Sequence, residues 1–187
     1  TSAVTDMSDL FSGRQGYNLN ISTWDVGNVT TTRFMFDNCQ NFNTDLSGWI
    51  FTKLENMYSM FAFSHAFNSD ISSWDVSTVT NMDKTFFSAR AFNQDISSWN
   101  TTSLTTAMFI FRGANAFNQN LSQWNLGQGI NIDDIFLDTN MSCDNLYATK
   151  LAWGATDSTL EECNPTLAPT LAPTLAPTLA PTLAPTL

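Results

Sequence analysis

Two columns of carboxylates recur along this chain at a fixed spacing. Asp45, Asp70 and Asp95 form one, continued by Asn20 and Asn120; Asp25 and Asp75 form another, continued by Asn100 and Asn125. Rows of oxygen ligands suit calcium, so a carboxylate ladder is one use for them. The other is a side chain that accepts hydrogen bonds from its own turn backbone, and this is the favoured reading. Asp138-Thr139-Asn140-Met141-Ser142-Cys143-Asp144 alternates oxygen donors like the start of an EF-hand loop, but lacks the central Gly and the closing Glu. Calcium is therefore a weak candidate, and no other cofactor is expected. His65 is the sole histidine, and its column holds Arg90 and Asn115. A zinc site or a Ser/His/Asp triad needs partners that no spacing supplies, so His65 reads as a solvated turn residue. No Gly-rich phosphate loop appears, and the chain is not expected to be an enzyme.

The remaining chemistry is covalent decoration. Cys143 and Cys163 flank the segment after the last repeat. A disulfide between them closes a loop of about 20 residues, worth roughly 3 kcal/mol in the chain-entropy model, and implies an oxidising compartment; the alternative is three reduced thiols. Cys39 shares its column with Ser64, Ala89 and Ala114, a place for a small side chain, and reads as a buried free thiol. Five N-linked sequons begin at Asn20, Asn28, Asn100, Asn120 and Asn140. Asn28 and Asn100 are the first choices, because their repeat positions should face solvent. From Pro165 to Leu187 the chain runs Pro-Thr-Leu-Ala over and over. Threonine in such a tract is the usual acceptor of O-linked sugar, which makes Thr166, Thr170, Thr174, Thr178, Thr182 and Thr186 candidates, with proline hydroxylation a natural companion.

These residues are positioned by a unit of 25 residues, whose copies begin at Tyr17, Phe42, Phe67, Phe92 and Phe117. Trp24, Trp49, Trp74, Trp99 and Trp124 share one position; Phe36, Phe61, Phe86, Phe111 and Phe136 share another. A period in this range marks a stacked repeat. The alternation Trp74-Asp75-Val76 predicts a short strand with Asp outward. Thr80–Phe87 predicts a short helix: Met82 and Phe86 share a face, Thr80 is the N-cap and Asp83 lies near the positive end. Stacking buries aromatic on aromatic, each worth about 1.5–3 kcal/mol, and strands of successive coils should pair in parallel. Two units depart from the pattern. The second has Ile50-Phe51-Thr52-Lys53-Leu54, and the fifth has Gly129 in a Val/Leu column, which should distort that coil.

Phe92-Asn93-Gln94-Asp95-Ile96-Ser97-Ser98-Trp99 and Trp74-Asp75-Val76-Ser77-Thr78-Val79-Thr80-Asn81-Met82 resemble the leucine-rich repeat, specifically that of BspA-like surface proteins, over about residues 7–141. The resemblance implies an extracellular or cell-surface repeat protein, of bacteria and some unicellular algae, with no reaction and no catalytic residues. The expected fold is an α/β solenoid: a leucine-rich-repeat-like stack of about five strand–turn–short-helix coils, plus an extended polyproline-II tail. Residues 1–16 form an N-terminal cap with a polar outer side, 17–141 the repeat body, 142–164 a C-terminal cap and 165–187 the tail, which could reach roughly 70 Å at about 3.1 Å per residue.

Formal net charge is −10, with seven Lys plus Arg. Such a surface repels a phosphate backbone and an anionic membrane, and no apolar run approaches a membrane span. No signal peptide is visible; a chain that opens on Thr1 and stops mid-pattern at Leu187 is expected to be a processed or partial form. The leading expectation is a structural glycoprotein that self-associates into an extracellular fibre or coat. The alternative is an adhesin whose concave strand face, with Ser73, Asp75, Ser98 and Asn100, grips a carbohydrate or a surface protein, the tail serving as a stalk. A calcium-stiffened coat is a third, weaker idea.

Overall fold

The computed structural model describes residues 4–127, 129–132, 134–154 and 163. The tail, with all six candidate O-linked threonines, lies outside them.

The strand–turn–helix solenoid is not what forms. Among the described residues the one helix is α1, Cys143–Ala152, beyond the repeats. Among the described residues there is no sheet, only four isolated parallel bridges joining Asp6, Thr31, Asn56, Asn81 and Thr106 in series. Trp74–Val76 is not a strand and Thr80–Phe87 is not a helix, so the leucine-rich-repeat likeness does not extend to the fold. The bridge position, Asn81, falls where the helix was expected to begin.

The hydrogen bonds explain the difference. Thr32, Phe34, Phe36 and Asn38 each donate a backbone N–H to the unit above, at Asn56, Tyr58, Met60 and Ala62, over 2.7–3.0 Å. The same four rungs recur from Met57, Ser59, Phe61 and Phe63, and from Met82, Lys84, Phe86 and Ser88. Between rungs the chain bonds to itself three residues back, as in Met35 N–H to Thr32 C=O and Asp37 N–H to Phe34 C=O. A strand would turn both groups of one residue to the same neighbour; a helix would keep all its bonds within itself. This segment alternates the two habits and is a run of overlapping turns. Left-handed residues stop the run from winding into a helix. Phe34 and Asn38 have φ of 54°, and Lys84 and Ser88 have 56° and 54° at the same places two units further on.

The rest of each unit is also turns. Trp74 N–H bonds Ile71 C=O, Val79 N–H bonds Val76 C=O, and Phe92 N–H bonds Ala89 C=O. The expected aromatic stacking is present. Phe36, Phe61, Phe86, Phe111 and Phe136 form a column with centroids 5.5–5.8 Å apart. A second column, Tyr17, Phe42, Phe67, Phe92 and Phe117, runs beside it at 5.9–6.3 Å. Trp49 and Trp74 stack at 6.1 Å, as do Trp99 and Trp124. Each of these indoles donates to a carbonyl of the unit below, as Trp74 Nε1 does to Leu46. In the divergent second unit Phe51 takes the Val76 place, is buried, and meets Trp74 edge-on at 5.0 Å. In the fifth unit Gly129 is left-handed and the bridge series has already ended at Thr106.

Candidate interaction surface

The polar columns resolve into turn chemistry. Asp45, Asp70 and Asp95 accept from the backbone N–H two residues on, at Ser47, Ser72 and Ser97, over 2.9–3.0 Å. Asn20 and Asn120 do the same to Ser22 and Ser122. Backbone and hydroxyl hydrogen bonds from the serine hold the pKa of Asp45, Asp70 and Asp95 below the ordinary carboxylate value. Asp75, bonded first by the Ser77 hydroxyl, is lowered as well. An Asn ladder accompanies them: Asn43, Asn68, Asn93 and Asn118 each donate a backbone N–H to the side-chain Oδ1 of the Asn one unit below.

The four residues of the expected binding face, Ser73, Asp75, Ser98 and Asn100, are all exposed. They do not line a strand face, because no strand forms there; they sit in or beside turns. Ser73 Oγ donates to Ser47 C=O at 3.4 Å, Asp75 accepts from Ser77 N–H at 3.0 Å, and Asn100 accepts from Thr102. Among the sequons, Asn20, Asn100, Asn120 and Asn140 are exposed. Asn28, one of the two first choices, is only half-exposed and accepts from Lys53 Nζ at 2.8 Å. Cys143 and Cys163 are joined in a disulfide. Cys39 is a buried free thiol bonded to Phe11 C=O, and burial pushes its pKa up to about 11. His65 is half-buried, its pKa lowered by burial and then by Arg90. Asp138 and Ser142, within the EF-hand-like stretch, serve local structure: Asp138 C=O accepts from Asn115, and Ser142 caps α1. No three metal-ligating side chains converge among the described residues.

The two ends of the stack differ. At the C-terminal end α1 imitates a further unit. Thr149 Oγ1 accepts from Leu121 N–H at 2.9 Å, as Ser69 Oγ does from Leu46. Ser142 N–H continues the ladder onto Asn118 Oδ1 at 2.8 Å, and Asn145 Nδ2 reaches Asn118 C=O at 2.8 Å as Gln119 does Asn93 C=O. Trp153 lies over both Trp124 and Phe136, though its buried Nε1 has no partner. On the N-terminal side an apolar patch is exposed. Trp24 is 37% exposed where Trp49 is 1%. With Val4, Met7 and Leu10 it lines an open cavity of about 560 Å³, rimmed by Asp6 and Asp25. The Asp6 carboxylate, bonded by the Ser8 hydroxyl and N–H, is held below its usual range.

The profile of a family described as a Mycoplasma protein of unknown function, DUF285, matches residues 1–77 and again 49–149. The chain belongs to this family. Neither a curated protein nor a solved structure matches the chain. The two family matches overlap by about one unit and together span the repeat body, so family membership follows the same residues that build the turn stack.

A second surface runs along the side of the stack. Phe34 and Tyr58 meet edge-on at 5.0 Å, and Phe63 and Phe87 at 5.2 Å. The Arg33 guanidinium sits 5.7 Å from the Tyr58 ring. Phe34 and Phe63 are left-handed, and apart from Phe109 their columns elsewhere hold Asp, Ser, Lys, Asn or Gly, so the backbone does not require an aromatic there.

Proposed function

We propose that this protein is a non-enzymatic structural component of the cell exterior, a glycoprotein that joins partners in a surface fibre or coat. The carrying observation is the continuous aromatic stack, in which Phe36, Phe61, Phe86, Phe111 and Phe136 lie ring on ring from unit to unit. A stiff aromatic-filled body suits a building part. The Cys143–Cys163 bridge favours an oxidising compartment. The exposed sequons at Asn20, Asn100, Asn120 and Asn140 favour N-linked sugar, and the motif likeness to BspA-like surface proteins points the same way. In this reading the Pro/Thr tail carries O-linked sugar and takes part in assembly. Intact mass of the naturally produced protein, before and after glycosidase, tests the glycoprotein part; an unmodified mass would sink it. Negative-stain images at high concentration test assembly, and only monodisperse single particles would speak against a fibre or coat.

A second reading, an adhesin, draws support from the lateral strip of Arg33, Phe34, Tyr58, Phe63 and Phe87. Aromatics and arginine are the side chains that anchor partners. Replacing Tyr58 and Phe63 by Ser should then abolish binding to a surface ligand while leaving assembly intact.

A further inference from the structure

Stacking covers each unit from above and below, but it leaves the flank made by the turn run open at every level. Four successive levels of that flank, from Phe34 to Phe109, carry aromatic rings partly open to solvent. Phe63 is 43% exposed, and Phe34, Tyr58, Phe87 and Phe109 are half-buried. Phe34, Phe63 and Phe109 hold φ of 54°, 57° and 57°. Left-handed backbone suits glycine or asparagine and penalises a bulky side chain. Gly13, Asn38 and Gly113 show what the Phe63 column takes elsewhere. Rings held on a backbone that disfavours them, without full burial in exchange, are strain that points to a use outside the core.

We propose that this flank is the docking site of the chain's own Pro-Thr-Leu-Ala tail, residues 165–187, bound as polyproline II. Aromatic-lined surfaces recognise that helix because its backbone is already ordered. Charge selects the occupant. A basic segment would meet Arg33, Lys84 and Arg112, three of the seven cations, and an acidic one would meet a chain of net charge −10. No side chain from Pro165 to Leu187 is charged. Polyproline II leaves its carbonyls without partners. The Tyr58 hydroxyl can donate to them, as can the Arg33 guanidinium, 5.7 Å from the Tyr58 ring. Lengths agree as well. With three residues per turn, Pro165, Ala168 and Leu171 share one face, and so do Pro169, Ala172 and Leu175. Each such face runs about 19 Å before a threonine enters it, so sugar on threonine does not block it. The flank covers three steps of the ring column, at 5.5, 5.8 and 5.7 Å. The tail starts two residues after Cys163, which is tied to Cys143 at the start of α1, and it reaches roughly 70 Å. That tether keeps the tail near its own flank at an effective concentration on the order of millimolar, ahead of a neighbour's tail.

The inference goes beyond the structural role above, and its test involves neither sugar nor assembly, so the two fail separately. A nitroxide is attached at Thr174→Cys of the isotope-labelled full chain, off the apolar faces of the tail. The readout is NMR signal loss against the same sample with the nitroxide reduced. Ring signals of Tyr58 and Phe63 should lose about half their intensity or more. The Ser72 and Ser97 N–H signals, half a unit away around the coil, should keep theirs. Dilution should change nothing. Changing every leucine from Leu167 to Leu187 to serine leaves the body untouched and should abolish the loss. Tyr58→Ser with Phe63→Ser should abolish it at Phe34 and Phe87, with circular dichroism unchanged. No loss at Tyr58 and Phe63, or equal loss at Ser72 and Ser97, overturns the site. Loss that vanishes on dilution, or that passes to an isotope-labelled chain without nitroxide mixed with a spin-labelled one, overturns the own-tail source. Loss that survives the leucine changes overturns recognition through the apolar faces.

Discussion

At the residue scale, left-handed backbone is what sets this chain apart. Residues at φ near +55° other than glycine cost about 1–2 kcal/mol each, and Phe34, Asn38, Ser59, Phe63, Lys84, Ser88 and Phe109 all adopt it. Gly13 and Gly113 occupy the Ser88 column with φ of 74°. Ser88→Gly should therefore raise stability to urea by about 0.5–1 kcal/mol, the steric relief exceeding the added chain entropy. Gly113→Ala should lower it by about 1–2 kcal/mol, because a Cβ there would also come within 2.8 Å of Ser88 Oγ. The turn carboxylates give a pH dependence of known sign. Asp45, Asp70, Asp75 and Asp95 have folded pKa values below the ordinary carboxylate value. Their stabilisation is present above the unfolded value and is lost as pH falls through the folded ones. Because Asn20, Asn100 and Asn120 make the same bond without charge, replacing Asp70 and Asp95 by Asn should keep the fold and flatten the acid limb. Urea midpoints at pH 2–4 would show it, and an unchanged limb would count against these carboxylates as its source.

At the element scale, α1 works as an unequal copy of a repeat. Its Ser142 cap, Asn145, Thr149 and Trp153 reproduce ladder, hydroxyl and ring contacts from a helical backbone. Thr149→Val removes the partner of the buried Leu121 N–H and should cost about 1–3 kcal/mol, most visible as faster exchange in the fifth unit. Reducing Cys143–Cys163 releases the segment after the helix, at a cost of about 2–4 kcal/mol, and should loosen α1 before the aromatic columns. If denaturation stayed fully cooperative and unshifted under reduction, the helix would not be guarding that end. The helix expected over Thr80–Phe87 fails at this same scale. Met82, Phe86 and Ala89 are buried at helix-like intervals, but a run of overlapping turns buries the same positions. Apolar spacing alone does not separate the two; only the bonds to the next unit do.

At the scale of the whole molecule, stability comes from columns rather than from elements. Phe61 is fully buried and touches Phe36, Phe67, Trp74 and Phe86. Phe61→Ala should cost about 3–5 kcal/mol and destabilise the units on both sides, because each unit's apolar side is covered only by its neighbours. Cys39→Ser should be close to neutral, since Ser64 makes the same bond to the carbonyl below.

The sequence by itself determined the period, the aromatic columns, the small-residue place of Cys39 and the Asp and Asn turns. Each follows from side-chain type recurring every 25 residues, and identical units in register must set like on like. It also made Cys143 and Cys163 a natural pair to consider. The backbone path was decided only by the tertiary structure. In each unit the competition between a helix that satisfies itself, a strand that bonds its neighbours and a turn run that does both is settled by the units above and below. Their carbonyls and N–H groups wait at every second residue, and the polypeptide adopts strained left-handed positions to meet them.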